Sequence, residues 1–481
     1  MFKIFIMKKQ ILLGAALLFA AGMTYGQELE SSQTDNGDCA DCSIPQLECM
    51  DCSFDQLESG DRGAKINTSL VDQDGVSNIA IVNQYGDGNF STVKQDGQMN
   101  SYAGGLGNQA YVDQFGTRNH SDIKQEGNYN YGEVYQEGVE NYAKQDVGVG
   151  WAEYNTAFAH QYGEGNTSFQ KQRYDNNWAH VDQEGTANYA EQDQSSGANG
   201  VEGSTAYINQ FGTENQAKQM QRGSYNNAVA YQWGESNTSS EDQMSDAGGS
   251  SWNDSYVDQW GAWNLSCVYQ EATGRGAYND SFVWQTGETN SSFVNQFASF
   301  GSNVSTVYQG YYVYSYRNVS KVDQVAIGGN NNSDVWQEGN NNMSVVDQFA
   351  YKGASNASSV TQFGLGNMSG VGQSAVGGAS NDSNVMQEGF ANFSAVNQNA
   401  EGDDSWNTSD VYQGGFFNVS CVDQNAIGGF NESTVYQLGG FNQSFVNQDA
   451  ISASNTSDVN QLGGGNFSCV TQTGVAGTSF R

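Results

Sequence analysis

Residues 431–448 alternate between two kinds of position along the chain. The run NESTVYQLGGFNQSFVNQ contains the phrase N-x-S-x-V-x-Q twice, joined by the four residues LGGF. A period of two places the Asn, Ser, Val and Gln of each phrase on one face of an extended strand, and the intervening residues on the other face. The same residues would scatter around a helix. The pattern therefore predicts a strand–turn–strand unit.

The unit recurs along most of the sequence, from Asn67 to the phrase that begins at Asn466. About thirty phrases pair into about seventeen units, and the two Asn of a unit are eleven residues apart almost everywhere. Asn303 and Asn318 are the clear exception. Within a unit the connection between the two strands is short and of fixed length, whereas the connection between units varies in length, which is typical of a solenoid. We therefore predict an all-β fold. It is a β-solenoid of the cross-β type with two strands per rung and about 17 stacked repeats.

Two features distinguish the earlier half of the array from the later half. The phrases that begin at Asn100 and Asn141 lack the distal Gln, and Ser204 stands where Asn is usual. From residue 253 onwards the phrase is cleaner. We see no linker between the halves, which favours one continuous array over two domains.

Inward Gln and Asn side chains are predicted to form ladders. Stacked rungs lie about 4.8 Å apart, so an amide can donate to the equivalent amide in one neighbouring rung and accept from the other. Glycine shortly after the ladder Gln would allow the tight turn. The clearest residues predicted to form the structural ladder for self-assembly are Asn381, Gln387, Gly389, Asn392, Gln398, Asn407, Gln413, Asn418, Gln424, Asn431, Gln437, Gly439, Asn442, Gln448, Asn455, Gln461, Asn466 and Gln472.

The chain outside the array divides into three further segments. Residues 1–26 combine Lys3, Lys8 and Lys9 with an apolar run that is too short to span a bilayer, which predicts a secretory signal peptide. Residues 27–63 are acidic and Cys-rich and are expected to be flexible. Residues 64–474 hold the solenoid, and residues 475–481 form a short tail. No other apolar run approaches membrane length, so we predict an exported protein without a transmembrane segment.

Four cysteines lie in the acidic segment, in a ten-residue duplication that supplies two C-x-x-C pairs. Disulfides, exposed free thiols, a four-thiolate zinc site and a redox motif are the alternatives. Export favours disulfides, the pairs are closer together than in most zinc ribbons, and no β-α-β pattern surrounds them. The cysteines of these predicted disulfides are Cys39, Cys42, Cys49 and Cys52.

The other three cysteines share the context S-C-V and are predicted to face outward on one sheet. They are Cys267, Cys421 and Cys469. The last two lie two rungs apart, roughly 9.6 Å, which exceeds the reach of a disulfide.

Composition and charge restrict the function. Gly, Asn, Gln and Ser are abundant, Pro45 is the only proline, and the formal net charge is −35. A nucleic-acid or anionic-membrane partner would be repelled. His120, His160 and His180 are predicted to be outward surface residues rather than catalysts, and we expect no metal and no cofactor.

The unit resembles the curlin repeat, whose pattern is S-x5-Q-x-G-x2-N-x-A-x3-Q. Residues 381–398 read N-x5-Q-x-G-x2-N-x-S-x3-Q. Gln387, Gly389, Asn392 and Gln398 fall on the family positions, and Asn381 stands where Ser is usual. The array is longer than the five repeats usual in curli subunits, and the Cys-rich segment is not a recognised family feature.

This resemblance implies a functional amyloid. Such a subunit is secreted unfolded through an outer-membrane channel, nucleated by a second subunit at the surface of a Gram-negative bacterium, and assembled with copies of itself into extracellular fibres for adhesion and biofilm matrix.

Two other functions compete with the fibre subunit. A monomeric β-solenoid adhesin would display its outward aromatic and acidic columns to sugars or cations, and would be expected to carry caps and a ligand groove, which the sequence does not show. An enzyme on a β-helix scaffold would require clustered acids and bases that break the repeat. The irregular phrases show no such cluster, so we predict that the protein is not an enzyme.

Overall fold

The computed structural model describes residues 66–97, 107–149, 152–196, 202–246, 250–311 and 314–475, which form β-strands joined by turns. None of these residues lies in a helix long and apolar enough to cross a membrane. The predicted signal peptide, the Cys-rich segment up to residue 63 and the tail from residue 476 lie outside the described residues, so the proposed division of the chain stays a prediction.

The described residues contain these strands: β1 Thr68–Asp74, β2 Ile79–Asp87, β3 Phe90–Asp96, β4 Gln109–Thr117, β5 His120–Glu126, β6 Tyr131–Val139, β7 Tyr142–Val149, β8 Thr156–Glu164, β9 Thr167–Arg173, β10 Trp178–Thr186, β11 Tyr189–Ser195, β12 Thr205–Thr213, β13 Gln216–Arg222, β14 Asn226–Glu235, β15 Thr238–Ser245, β16 Trp252–Ala262, β17 Leu265–Thr273, β18 Tyr278–Glu288, β19 Ser291–Ser299, β20 Ser302–Gln309, β21 Ser315–Tyr316, β22 Val319–Ile327, β23 Asn330–Asn340, β24 Met343–Tyr351, β25 Ser355–Leu365, β26 Met368–Val376, β27 Ser380–Phe390, β28 Phe393–Glu401, β29 Trp406–Phe416, β30 Val419–Ile427, β31 Phe430–Gly440, β32 Gln443–Ile451, β33 Ser454–Gly464 and β34 Phe467–Val475.

The strands form two parallel sheets that face each other. The first sheet holds the odd-numbered strands from β1 to β19 and the even-numbered strands from β22 to β34; the second sheet holds the others. Successive strands along the chain alternate between the sheets, so each rung contributes one strand to each. The predicted two-strand β-solenoid is confirmed. The exceptional spacing of Asn303 and Asn318 arises where one strand of the second sheet is divided into β20 and β21.

Each position of the phrase stacks on the same position in the next rung. In the pairing of β27 with β29, Asn381 lies opposite Asn407, Val385 opposite Val411 and Gln387 opposite Gln413. This register follows from the alternation, because a shift of one residue would turn every inward side chain outward.

The core between the sheets is thin and changes character along the array. Stacked valines from Val257 to Val459 form one continuous cluster, whereas the earlier rungs use smaller clusters of Ala, Val and Ile. The central inward position of the later rungs is serine. Ser433, Ser444 and their equivalents are buried, and their hydroxyl groups have no hydrogen-bond partner. A small side chain is needed there, because the two sheets approach closely.

The tight turn after each strand of the second sheet depends on glycine. Gly389 has a φ of 112°, and a Cβ atom added there would overlap the carbonyl oxygen of Gly415 in the next rung. Two residues later Ala391 has a φ of 51°. The Asn392 side chain closes the turn by donating to the Glu388 carbonyl oxygen at 3.0 Å.

Substitution of Gly389 by Ala should therefore destabilise the fold by more than 2 kcal/mol, since the new methyl group meets backbone atoms at an unfavourable φ. Gly366 is a matched control. Its φ is 70° with open space around it, and it occupies the place that Ala391 takes in the next rung. Gly366→Ala should cost about 1 kcal/mol or less. Urea unfolding of the soluble monomer measures both, and equal costs would contradict the close approach.

Candidate functional site

The second sheet carries an unbroken ladder of glutamine side chains. From Gln84 to Gln461, the Nε2 group of each Gln donates to the Oε1 atom of the Gln in the next rung at 2.7–2.8 Å. The second Nε2 hydrogen reaches a main-chain carbonyl oxygen of the first sheet, as in Gln437 to Val419 at 3.0 Å. These amides thus bind rung to rung and sheet to sheet.

The ladder of the first sheet has one interruption. Gln73, Gln95 and Gln125 form its first section, and a second section runs from Gln172 to Gln472. Between the sections Val147 occupies the ladder position in the phrase of Asn141. The Oε1 atom of Gln172 is consequently left without a partner, because Val147 has no donor.

A second, short ladder begins in the same strand. Gln145 takes the place that valine usually holds, and the chain of bonds continues through Gln170, Gln192 and Gln219 to Glu241. Glu241 is buried, and this desolvation outweighs the hydrogen bond from Gln219 and raises the pKa of its carboxyl group to about 8. The last member of this ladder is thus an acid in an amide position.

Asparagine side chains join the rungs at the start of the strands in both sheets. In the first sheet the backbone N–H of each Asn donates to the Oδ1 atom of the Asn in the preceding rung, as in Asn392 to Asn367 at 3.1 Å. The earlier rungs of the second sheet use the same backbone bond, whereas from Asn253 onwards the Nδ2 group donates instead, as in Asn431 to Asn407 at 2.9 Å. Ser204 fits the Asn position as predicted, with its N–H donating to Oδ1 of Asn177.

A regular phrase begins at Asn108. Asn100 lies outside the described residues, and the rung is headed by Asn108, whose N–H donates to the Oδ1 atom of Asn78 at 2.9 Å. Gln114, six residues later, then completes the regular phrase.

The structure places the predicted ladder residues as follows. The Asn and Gln residues from Asn381 to Gln461 are buried, whereas Asn466 and Gln472 in the last rung are partly exposed, and Gly389 and Gly439 lie in the tight turns. Each Asn and Gln in the set takes part in the stacking bonds. Their role in self-assembly stays a prediction. The buried or turn members are Asn381, Gln387, Gly389, Asn392, Gln398, Asn407, Gln413, Asn418, Gln424, Asn431, Gln437, Gly439, Asn442, Gln448, Asn455 and Gln461.

The cysteines of the array lie on one sheet, in β17, β30 and β34. Cys421 and Cys469 are free, and burial raises the pKa of the Cys421 thiol to about 11. Cys267 occupies an outward position, as predicted, but in contrast to the other two it is buried and disulfide-bonded. Phe293 of the next strand lies directly beside it. The predicted disulfide cysteines Cys39, Cys42, Cys49 and Cys52 lie outside the described residues.

Both ends of the described stack leave ladder groups exposed. The inward residues of β34 and β2 are only half-buried, and β1 is largely exposed. In β32, Gln443 donates its N–H to the carbonyl oxygen of Asn466, the residue before β34. Because Phe467 is its register partner, the N–H groups of Phe467, Cys469 and Thr471 point the same way, toward a strand position that no described residue fills. Such an edge is a template for another strand.

Residues 67–97, which include β1, β2 and β3, match the family model of the curlin associated repeat. No curated protein matches the chain closely enough to be called a relative. The matched residues share their phrase, turn and register with the rungs that follow, which confirms the resemblance drawn from residues 381–398.

Replacement of Gln437 by Ala should destabilise the monomer by about 2–4 kcal/mol. It removes the acceptor of Gln413 and the donor to Gln461, and leaves both buried. Gln448→Ala should behave similarly. Glu432 is outward in the same strand, so Glu432→Ala should change the free energy of unfolding by less than about 0.5 kcal/mol. Urea unfolding distinguishes these variants, and similar losses from all three would contradict the ladder.

Glu241 predicts a specific dependence of stability on pH. Its folded pKa is raised above that of the unfolded chain, so between these two values the native state binds more protons. Stability from this group is therefore complete below about pH 4.5 and is lost as the pH rises toward 8. Glu241→Gln should remove this contribution and continue the amide ladder.

The measurement is the urea midpoint at pH 5 and at pH 8 for the wild type, Glu241→Gln and the exposed control Glu432→Gln. Glu241→Gln should gain stability relative to the wild type mainly at pH 8. A gain of the same size in the control, or equal gains at both pH values, would refute the assignment.

Proposed function

We propose that this protein, which matches the curlin associated repeat over residues 67–97, belongs to that family and is a secreted fibre subunit whose copies stack end to end through their exposed rungs. The observation that carries the proposal is the match between the two ends. The last phrase of the first sheet, N-F-S-C-V-T-Q from Asn466, and the first, N-T-S-L-V-D-Q from Asn67, have the same inward residues.

The hydrogen-bonding groups of the two ends are also complementary. Gln472 receives a bond at Oε1 from Gln448 and has no further Gln to which its Nε2 group can donate within the described array. Gln73 donates to Gln95 through Nε2, which leaves its Oε1 atom to accept. Similarly, Asn466 has an Oδ1 acceptor that corresponds to the one Asn442 uses for the next rung. Stacking one copy on another would continue each ladder with its polarity unchanged.

The second sheet allows the same continuation. Gln461 accepts from Gln437, and Gln84 donates to Gln114, so Gln461 can donate to Gln84 of another copy. Because this contact joins two different surfaces and repeats by translation, it does not close on itself and generates an open fibre.

Surface charge is compatible with controlled assembly. The formal net charge of −35 slows premature association of copies, whereas the inward ladder groups provide the attraction. Adhesion and biofilm matrix on the surface of a Gram-negative bacterium, export through an outer-membrane channel, and nucleation by a second subunit follow from the family resemblance and are parts of this proposal.

The adhesin alternative has one supporting observation. Phe211, Trp233 and Trp260 form an exposed stack on the second sheet, with ring centroids 5.1 and 4.8 Å apart. Such a surface could stack on sugars. A soluble β-rich monomer that neither seeds nor grows would favour this function, whereas fibres with 4.7–4.8 Å meridional and about 10 Å equatorial reflections would support the fibre subunit.

Thr471→Pro tests the stacking directly. It removes an N–H that points to the free edge, and no bond within the described chain is lost. The proline ring should obstruct an incoming strand, which costs about 3 kcal/mol, so seeded elongation by the variant should be at least tenfold slower. Thioflavin fluorescence with wild-type seeds measures the rate, and Thr471→Ala is the matched control.

A variant copy should still add to a growing fibre through its intact β1. Its altered β34 should then prevent the next copy from adding at that end. Thr471→Pro should therefore inhibit wild-type growth at substoichiometric amounts. If Thr471→Pro elongates as fast as Thr471→Ala, β34 does not provide the growing edge.

A further inference from the structure

Two of the three histidines lie together on the outward face of the second sheet. His160 is in β8, and His180 and Asp182 are in the adjacent strand β10, with the alternation of both strands turning these side chains away from the core. Their potential ligand atoms all lie within 4.8 Å of one another. We call these three residues the His–Asp cluster. The sequence prediction of unrelated surface histidines missed this arrangement.

The distances suit a shared cation. Oδ1 of Asp182 lies 3.2 Å from Nδ1 of His160 and 2.9 Å from Nε2 of His180. Ligands bound to zinc at 2.0–2.2 Å in tetrahedral geometry are separated by about 3.3 Å. Nε2 of His180 makes no well-aligned hydrogen bond and is shielded from solvent, although its imidazole ring remains partly exposed. A small cation among the three atoms would satisfy it.

Outer residues orient the ligand atoms. Nε2 of His160 lies 3.4 Å from Oε1 of Glu133 in β6, so the carboxylate favours a proton on Nε2 and leaves Nδ1 to bind. The hydroxyl of Tyr207 in β12 donates to Oδ2 of Asp182 at 3.0 Å, which leaves Oδ1 facing the histidines. Carboxylate partners behind ligating histidines are a general feature of protein metal sites.

Aromatic rings enclose the His–Asp cluster and limit its motion. Phe158, Trp178 and Tyr207 lie with their centroids 5.2–5.5 Å from the ring of His180. Tyr135 meets His160 edge-on at 6.4 Å. The side chains of the cluster remain 19–31% exposed, so an ion can enter from solvent, and the strongly acidic protein attracts cations.

We propose that His160, His180 and Asp182 bind one divalent transition-metal ion of the zinc class. Two imidazole nitrogens and one carboxylate oxygen suit Zn²⁺, Cu²⁺ or Ni²⁺, whereas Ca²⁺ and Mg²⁺ require mainly oxygen ligands. Water completes the coordination. The bound ion links two adjacent rungs, with Glu133 and Tyr207 extending the contact over four, and thus holds this part of the array in register. This site is independent of the proposed stacking at the ends.

Zinc titration by calorimetry of the full-length monomer provides the test. His180→Gln and Asp182→Asn should each lose one Zn²⁺ per chain relative to the wild type. His120→Gln changes the remaining histidine, which lies on the first sheet, and should retain that ion. Any zinc bound by the N-terminal cysteines is common to all variants and cancels in the comparison. Equal stoichiometry and affinity in all four proteins would overturn the proposal.

Two further measurements separate metal binding from misfolding. Glu133→Gln keeps the three ligands and should weaken zinc affinity at least tenfold without removing the site. Co²⁺ substitution should give visible absorption bands of a nitrogen–oxygen site that disappear in His180→Gln and persist in His120→Gln. If these bands persist in a folded His180→Gln monomer, the His–Asp cluster is only a hydrogen-bonded surface network.

Discussion

The structure depends on the agreement between the distance that separates parallel strands and the distance that a side-chain amide can bridge by hydrogen bonds. Parallel strands lie about 4.8 Å apart, and a primary amide can donate to and accept from identical amides at that distance. The ladder from Gln84 to Gln461 uses this agreement in every rung of the second sheet. An amide that misses its neighbour is left buried without a partner, at a cost of about 1–3 kcal/mol. The ladder thus fixes the register, and the register in turn stacks valine on valine and glycine on glycine.

The ladder also gives the array a direction. Each Gln between Gln84 and Gln461 in the second sheet donates forward and accepts from behind, so the two ends of the described stack present opposite halves of the same bond. A domain that buried its core all round would have no such ends. Here the core is only as thick as two facing strands, and each added rung buries the preceding one. Fold and polymerisation therefore follow from the same interaction, since a second copy supplies what the next rung would.

Much of the fold and of the amide ladders could be predicted from the sequence, because a phrase with period two defines the inward face of each strand and its repetition defines how the strands stack. Features that depend on which residues become neighbours in other rungs could not be predicted in this way. His160 and His180 are twenty residues apart and meet only once β8 and β10 are in register. Cys267 is outward by alternation, yet it is buried beside Phe293.

The departures from the phrase have a physical consequence of their own. In a perfectly regular array a slip by one whole rung would restore nearly all contacts, so the correct pairing would be poorly distinguished from its neighbours. Val147, Glu241 and the division between β20 and β21 each occur once among the described rungs and fit one pairing. After a slip Glu241 would face a different partner, and Val147 would interrupt a different pair of amides. Val147 and Glu241 thus specify the register in the earlier half, and the division between β20 and β21 does so in the later half, with specificity gained at some expense in local stability.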